Sequence, residues 1–155
     1  MISLSERIVA LLEESKETVT FAESCTGGLV ASSLVEAAGA SRVFRESFVT
    51  YCDRAKRETL GVSEETLRRF TAVSEPAARE MALGLLAKTG ADYGLSVTGY
   101  AGPEGGQAGL VYIGLASQEA VTVCEFHFSG SRNAVRRQAA GAALRMLRDR
   151  LEERI

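Results

Sequence analysis

A strand that runs directly into a glycine turn and then into a helix constrains this chain most. Residues 18–22 carry β-branched and apolar side chains, which is typical of a buried strand. Gly27 and Gly28 break this pattern, and residues 29–34 continue with apolar side chains at helical spacing. A strand, a tight turn and a helix in succession form a building unit of α/β folds. The sequence therefore predicts a sheet with helices packed against it.

The remaining segments extend this unit into a mixed sheet. Further strands are predicted at 43–51, 93–97, 110–116 and 121–128, and helices at 4–14, 55–60, 75–89 and 132–153. Ser63 and Ser74 are expected to cap two helices, because each is followed by glutamate in the first turn. Helices separate the first strands, whereas the last two strands follow each other as a hairpin. We expect an α/β fold with a mixed sheet between helices, and a length of 155 residues suits a single domain over 1–155.

Composition excludes several classes of protein. Apolar residues make up 46% of the chain and charged residues 25%, which is close to the average for globular proteins. Since no apolar run reaches about 18 residues and the N-terminus lacks a signal pattern, we expect a cytoplasmic protein without a membrane partner. A net charge of -2 gives no general attraction to nucleic acid.

The cysteines and the single histidine restrict the catalytic and metal sites that this chain can form. The three cysteines are an odd number without CxxC spacing, which argues against disulfides and a structural zinc site, and no metal is expected. The single histidine, His127, alternates with two phenylalanines on a predicted strand, which favours a structural or solvent-facing role. A Ser-His-Asp triad is therefore disfavoured, and a nucleophile in this chain needs another base, for which lysine is the obvious alternative.

Ser24 is the first candidate for a nucleophile. It follows the strand at 18–22 and precedes Thr26, Gly27 and Gly28, where the backbone can approach a ligand and unpaired amides can hold negative charge. This arrangement suits a nucleophile beside an oxyanion hole. Equally, Ser24 is interpretable as a helix N-cap and the glycines as a simple turn, and the local sequence leaves both interpretations open.

Tyr51 and Lys56 follow the next predicted strand, at the sheet edge where α/β folds gather active groups. Lys56 can act as a general base only where burial or neighbouring charge lowers its pKa, and the Tyr51 hydroxyl can relay a proton or hold the geometry. The alternative is that Lys56 is an ordinary solvated charge on a helix.

A glycine-rich loop and an arginine are candidates for substrate binding. The loop begins after a strand at Thr98, and its amides can cradle a phosphate or a ribose, although it lacks the P-loop and dinucleotide-binding patterns. The candidate glycines of this loop are Gly99, Gly102, Gly105 and Gly106. Arg132, at the start of the last helix, is the preferred phosphate partner, and Arg136 is the weaker one. The alternatives are that the loop is a flexible lid and that the two arginines are ordinary surface charges.

Four motifs together carry a family resemblance that covers nearly the whole chain. They read AESCTGG at 22–28, FVTYCDRAK at 48–56, VTGYAGPEGG at 97–106 and FSGSRNAVRRQAA at 128–140. In this order they strongly resemble the CinA C-terminal domain family of nicotinamide-nucleotide amidases. The resemblance implies a three-layer α/β/α fold that hydrolyses nicotinamide mononucleotide to nicotinic acid mononucleotide and ammonia in pyridine-nucleotide salvage, without a metal or organic cofactor. It is compatible with a homo-oligomer. The alternatives are a non-catalytic nucleotide-binding or regulatory module, and an amidase for another small amide.

The resemblance also implies roles for individual residues. Ser24 would be the nucleophile, Lys56 the base and Tyr51 the hydroxyl between them. The helix N-terminal amides near Thr26 and Gly27 would hold the oxyanion, with Gly28 also in the substrate site. Thr98 and the glycine loop would place the ribotide, and Arg132 would bind its phosphate. One departure is Asp53, where the family has a neutral amide. A carboxylate facing Lys56 is expected to raise the pKa of the lysine and oppose its function as a base.

Overall fold

The structure, a computed structural model, describes residues 1–154. These residues form five strands, six α-helices and a short 3₁₀ turn at Ala40–Arg42. The strands are β1 (Val19–Glu23), β2 (Phe44–Val49), β3 (Tyr93–Gly99), β4 (Leu110–Ala116) and β5 (Val121–His127). The helices are α1 (Leu4–Ser15), α2 (Leu29–Leu34), α3 (Asp53–Leu60), α4 (Glu64–Phe70), α5 (Glu75–Thr89) and α6 (Arg132–Glu152).

The five strands form one mixed sheet in the order β2-β1-β3-β4-β5. Strand β1 pairs in parallel with both β2 and β3, whereas β3, β4 and β5 pair antiparallel, so the predicted mixed sheet and the hairpin are confirmed. Glu23, the last residue of β1, lies opposite Val49 and Val97. The carboxyl ends of three parallel strands therefore meet at one edge, which is where open α/β sheets bind ligands.

Helices cover both faces of the sheet. The first face packs against α1, α2 and α6 through a core that includes Phe21, Leu95 and Ile113. The second face packs against α5, with α3 and α4 placed beside that helix. The result is the three-layer α/β/α arrangement expected from the resemblance.

Helix boundaries follow from local hydrogen bonds. The Ser63 and Ser74 hydroxyls accept the backbone amides of Thr66 and Ala77, so both predicted N-caps are confirmed. Helix α3 begins at Asp53, two residues earlier than predicted, because the preceding residue is already the extended N-cap. No helix within 1–154 is long and apolar enough to serve as a membrane span.

The interpretation of His127 as a solvent-facing residue is confirmed. Its side chain is largely exposed, and Nε2 lies 2.7 Å from the carboxylate of Glu125. The same carboxylate accepts a hydrogen bond from the Tyr112 hydroxyl at 2.6 Å. This group lies on β4 and β5, which are separated from β1 by β3.

A close backbone approach fixes α3 against α5. A Cβ added at Gly84 of α5 would lie 1.9 Å from the carbonyl oxygen of Leu60, the last residue of α3. Only glycine permits this approach without a shift of one helix. Because α3 also carries Lys56, this contact helps to set the position of the lysine.

We expect Gly84→Ala to lower the free energy of unfolding by about 1–3 kcal/mol through overpacking. Gly141 is the matched control, since it is also inside a helix but its added Cβ would meet only the end of the Arg145 side chain, at 3.1 Å. Gly141→Ala is expected to be neutral or to stabilise by up to about 1 kcal/mol, because alanine has the higher helix propensity. Urea denaturation measures both values, and equal effects of the two substitutions would contradict the close contact.

Candidate active site

Backbone pairing beyond the strand ends brings three polar residues side by side. The Ser24 amide donates to the Val97 carbonyl at 2.9 Å, and the Thr50 amide donates to the Glu23 carbonyl at 2.9 Å. The parallel register therefore continues one residue past β1 and places Ser24 between the chains that contain Thr50 and Thr98.

Lys56 contacts Ser24 directly. Its Nζ lies 3.0 Å from the Ser24 Oγ, and it donates to the carbonyl oxygens of Thr50 at 2.7 Å and Tyr51 at 3.2 Å. Lys56 is only 1% exposed and Ser24 8%. No carboxylate within 1–154 forms a salt bridge with this lysine. The alternative interpretation of Lys56 as a solvated surface charge is therefore wrong.

Burial changes the protonation of this lysine. Loss of hydration lowers the pKa of Lys56 below its usual value, while the charges of Asp53 and Cys52 act in the opposite direction and are weaker. The expected influence of Asp53 is thus present, but burial outweighs it. The neutral amine, which can accept a proton from a hydroxyl, is more populated than for an exposed lysine.

Cys25 is disfavoured as an alternative nucleophile. Its side chain is buried in the core beside α2, and burial raises the pKa of the thiol to about 11. A thiol with such a pKa is protonated near neutral pH and is a poor nucleophile.

Some backbone amides of the turn after Ser24 are hydrogen-bonded within the protein and others are not. The Gly27 amide donates to the Ser24 carbonyl at 3.1 Å. The carboxylate of Glu23, which is 1% exposed, accepts the amides of Gly28, Val30 and Ala31. The expectation that the Gly27 amide is available to an oxyanion is therefore wrong, and the Gly28 amide is likewise already bonded inside the protein.

Two amides of this turn remain. Within residues 1–154, the N–H groups of Cys25 and Thr26 have no hydrogen-bond acceptor. Of the two residues, only Cys25 lines the cavity, whereas Thr26 is fully buried. Cys25 directly follows the nucleophile candidate, which is the position of one oxyanion-hole donor in α/β-hydrolases. Glu23 is not among the residues predicted for the site, although a carboxylate directly before a turn and a helix N-terminus is a recognisable signal.

Tyr51 lies elsewhere than expected. Its side chain is 59% exposed, and its hydroxyl oxygen accepts a hydrogen bond from Arg132 at 3.1 Å. The hydroxyl does not lie between Ser24 and Lys56, because those two side chains are already in direct contact. The contribution of Tyr51 to the lysine is its backbone carbonyl.

Ser24 and Lys56 open into a cavity of about 290 Å³. Four of the predicted substrate-binding residues line it, namely Thr98, Gly99, Gly102 and Arg132. Five others do not, namely Thr26, Gly27, Gly28, Gly105 and Gly106. The first three belong to the turn behind Ser24, and the last two lie at the exposed tip of the loop. The Thr98 hydroxyl donates to the carbonyl of Ala72, so it holds the segment that leads into α5.

The two arginines at the start of α6 differ in their surroundings. Arg132 is exposed at the cavity rim, where it donates to the Gly102 carbonyl at 2.8 Å and to the Tyr51 hydroxyl. Arg136 does not line the cavity, and its guanidinium donates to the carbonyls of Cys25 and Thr26. Only Arg132 is therefore accessible from the cavity.

A larger cavity, of about 540 Å³, lies between α3 and α4. Its lining is almost entirely charged and includes Asp53 and Arg57 but no hydroxyl or thiol nucleophile. Within 1–154 no group of three or more histidine, cysteine, aspartate or glutamate side chains is arranged to hold a metal ion. The cavity at Ser24 is accordingly the candidate active site.

Comparisons with known proteins identify relatives of the whole chain. A nicotinamide-nucleotide amidohydrolase, PncC, from Enterobacter agglomerans is 50% identical over 142 residues, which cover 88% of this chain and 87% of that protein. A CinA-like protein from Kosmotoga olearia is 48% identical over 150 residues, or 94% of this chain. This chain spans only 36% of the length of that relative.

Solved structures agree with the sequence relatives. A CinA superfamily protein from Klebsiella pneumoniae superposes with a TM-score of 0.93 at 36% identity, and 97% of this chain and 96% of that chain are covered. The competence/damage inducible protein CihA from Agrobacterium tumefaciens gives a TM-score of 0.92 at 40% identity, with coverages of 96% and 93%. The model of the CinA C-terminal domain matches residues 1–151, and this protein therefore belongs to the CinA C-terminal domain family.

Proposed function

We propose that this chain hydrolyses the carboxamide of nicotinamide mononucleotide to give nicotinic acid mononucleotide and ammonia. The observation that carries the proposal is the direct 3.0 Å contact between the Lys56 Nζ and the Ser24 Oγ at the base of a cavity. The name of the PncC relative, which matches this chain over most of both lengths, supports the choice of substrate.

The first half of the reaction forms an acyl-enzyme. The neutral Lys56 amine takes the hydroxyl proton of Ser24 while the Oγ bonds to the carboxamide carbon. The negative charge that develops on the carboxamide oxygen is stabilised by the amide of Cys25, which lines the cavity beside Ser24. The lysine then returns the proton to the leaving nitrogen, the C–N bond breaks and ammonia departs.

The second half regenerates the enzyme. Lys56 takes a proton from water, the hydroxide oxygen bonds to the ester carbon, and the Cys25 amide stabilises the second oxyanion. When the C–O bond to Ser24 breaks, the proton on the lysine returns to the Oγ. The product is the carboxylic acid, which ionises in solution, and ammonia takes up the released proton to give ammonium.

Arg132 is the proposed phosphate partner. Its present acceptors, a carbonyl and a phenol, are both neutral. Charge-assisted hydrogen bonds to a phosphate are roughly twice as strong as neutral ones, so a phosphate at the cavity rim competes favourably for the guanidinium. Gly99 and Gly102 line the path between this rim and Ser24, where the ribose would lie.

Ser24→Ala is expected to abolish ammonia release from nicotinamide mononucleotide, because the substitution removes the nucleophile. Ser32→Ala is the control, since Ser32 is an exposed serine of α2, and it should retain activity. Cys25→Ala should also retain activity, because the Cys25 thiol is protonated. Ammonia release that persists in Ser24→Ala would refute the nucleophile, and nucleotide binding without turnover by the wild type would favour a binding module.

Activity should rise with pH, and the pKa that governs this rise should lie below the usual pKa of a lysine side chain. The rise is expected because Lys56 acts only when neutral and burial lowers its pKa, so the neutral fraction grows as the pH passes that value. Lys56→Arg should lose activity at every pH tested, because arginine stays protonated. The exposed lysine of α5 gives the control, and Lys88→Arg should leave the profile of kcat/KM unchanged. A wild-type profile without this rise would contradict the role of Lys56.

Arg132→Gln should raise KM for nicotinamide mononucleotide by about 10- to 100-fold, as expected for the loss of a charge-assisted hydrogen bond worth roughly 1.5–3 kcal/mol. Hydrolysis of nicotinamide riboside, which lacks the phosphate, should change little. Arg137→Gln, at an exposed neighbouring position, is the charge-matched control. Equal losses with both substrates would show that Arg132 acts only by holding the rim.

A further inference from the structure

Glu104 is the only carboxylate residue among the residues within 1–154 that line the cavity at Ser24. It is exposed in the glycine-rich loop, and no salt bridge within 1–154 involves it. Arg132 binds the carbonyl of Gly102, two residues before Glu104, yet the two side chains do not pair. The cavity therefore presents a carboxylate and a guanidinium that do not neutralise each other.

The loop that carries Glu104 is anchored on both of its arms. At its base, the Gly109 amide donates to the Tyr100 carbonyl at 2.7 Å. Further out, a Cβ added at Gly102 would lie 2.7 Å from the Cβ of Ala108, so the two arms approach as closely as glycine allows. Only a short excursion separates these fixed arms, and this excursion keeps Glu104 at the cavity.

Opposite charges that stay apart in one cavity suit a ligand that carries both charges. The carboxylate of Glu104 attracts a cation, and the guanidinium of Arg132 attracts an anion. Lys56 is the third residue of the lining with an ionisable cation, and burial lowers its pKa, which reduces its positive charge. Nicotinamide mononucleotide matches this pattern, because its N-substituted ring is a pyridinium cation and its phosphate is an anion.

Two aromatic residues, Tyr51 and Tyr100, also line the cavity. The faces of aromatic rings attract organic cations, so these tyrosines act in the same direction as the carboxylate. A neutral ring of the same size also packs on a tyrosine through apolar contact. Discrimination by charge therefore depends mainly on Glu104.

We infer that Glu104 is a specificity-determining residue, which selects nucleotides with a positively charged pyridine ring over nucleotides with a neutral ring. The inference rests on the proposed hydrolysis of nicotinamide mononucleotide. Glu104 acts through Coulomb attraction, which falls only with the inverse of the distance and needs no hydrogen bond of fixed geometry. Because the ring carries the same charge in the substrate and in the transition state, the attraction lowers KM and leaves kcat unchanged.

Calorimetric titration of Ser24→Ala tests this inference, because this variant binds nucleotide without consuming it. The two ligands are nicotinamide mononucleotide and its dihydro form, which keeps the ribose, phosphate and carboxamide but has a neutral ring. Adding Glu104→Gln should raise Kd for the oxidised form by about 3- to 10-fold at low ionic strength and leave Kd for the dihydro form unchanged. Each ligand is compared between variants, so differences in the shape of the two rings cancel.

Controls separate the effect of the charge from an effect on the loop. Glu36→Gln removes an exposed carboxylate outside the cavity lining and should leave both Kd values unchanged. Glu104→Asp keeps the charge and should retain part of the difference between the two ligands. The effect of Glu104→Gln should shrink as salt is added, because ions screen an exposed charge. With Ser24 intact, Glu104→Gln should raise KM for nicotinamide mononucleotide by a similar factor and leave kcat unchanged.

The outcomes distinguish this inference from the proposed function. If the wild type releases no ammonia from nicotinamide mononucleotide but Glu104→Gln weakens binding of the oxidised form alone, the proposed reaction fails and the role of Glu104 stands. If ammonia is released but Glu104→Gln changes neither Kd, the reaction stands and the inference is refuted. Equal weakening of both forms would show that Glu104 only holds the loop, and tighter binding of the oxidised form would show that it repels the phosphate. Both results refute the inference, as does the absence of binding of either nucleotide.

Discussion

A lysine buried without a carboxylate is the interaction on which the rest of this site depends. The effective cost of burying an ammonium is several kcal/mol, and the carbonyls of Thr50 and Tyr51 offset only part of it. The rest of this cost is offset by the packing of the fold, which holds α3 against α5 at the contact of Leu60 with Gly84. A carboxylate beside Lys56 would relieve this cost, but it would also keep the amine charged. Asp53 acts on the lysine weakly, because its side chain is exposed and solvent screens its charge.

Two charged side chains, Glu23 and Arg136, form hydrogen bonds to the turn between β1 and α2 from opposite sides. Glu23 accepts the amides at the start of α2, where a carboxylate also interacts favourably with the helix dipole. Arg136 donates to the carbonyls on the other side of the same turn. With these partners satisfied, the amide of Cys25, a residue that lines the cavity, remains for a ligand. The negative charge of Glu23 is compensated by three N–H donors, which limits its repulsion of an oxyanion nearby.

The sequence predicts the framework of the site better than its details. Parallel pairing of β1 with its neighbours was predictable from alternating strands and helices, and it suffices to bring Ser24 and Lys56 to one edge of the sheet. The direction of Tyr51 was not predictable, because a side chain that follows the end of a strand is no longer constrained by the pleat. Arg132 and Arg136 are four residues apart on α6, so they share one face of the helix, and only tertiary packing decides which of them reaches the rim. The hydrogen bond from the Gly28 amide to Glu23 was likewise not predictable, because it depends on the direction that the carboxylate takes after the strand ends.

These arginines illustrate why residue type alone does not assign a role. Arg132 is exposed and bonds neutral acceptors on two segments, Tyr51 before α3 and Gly102 in the glycine loop, so a stronger anion can replace either contact at little cost. The carbonyls bound by Arg136 belong to the buried residues Cys25 and Thr26, and an anion that displaced them would leave two peptide groups without partners. Such a loss costs roughly 1–3 kcal/mol for each unsatisfied group. Exchange of Arg132 with a ligand at the rim is therefore favoured, which supports its proposed binding role. Exchange of Arg136 behind Ser24 is opposed, so this arginine serves as a structural partner of the turn.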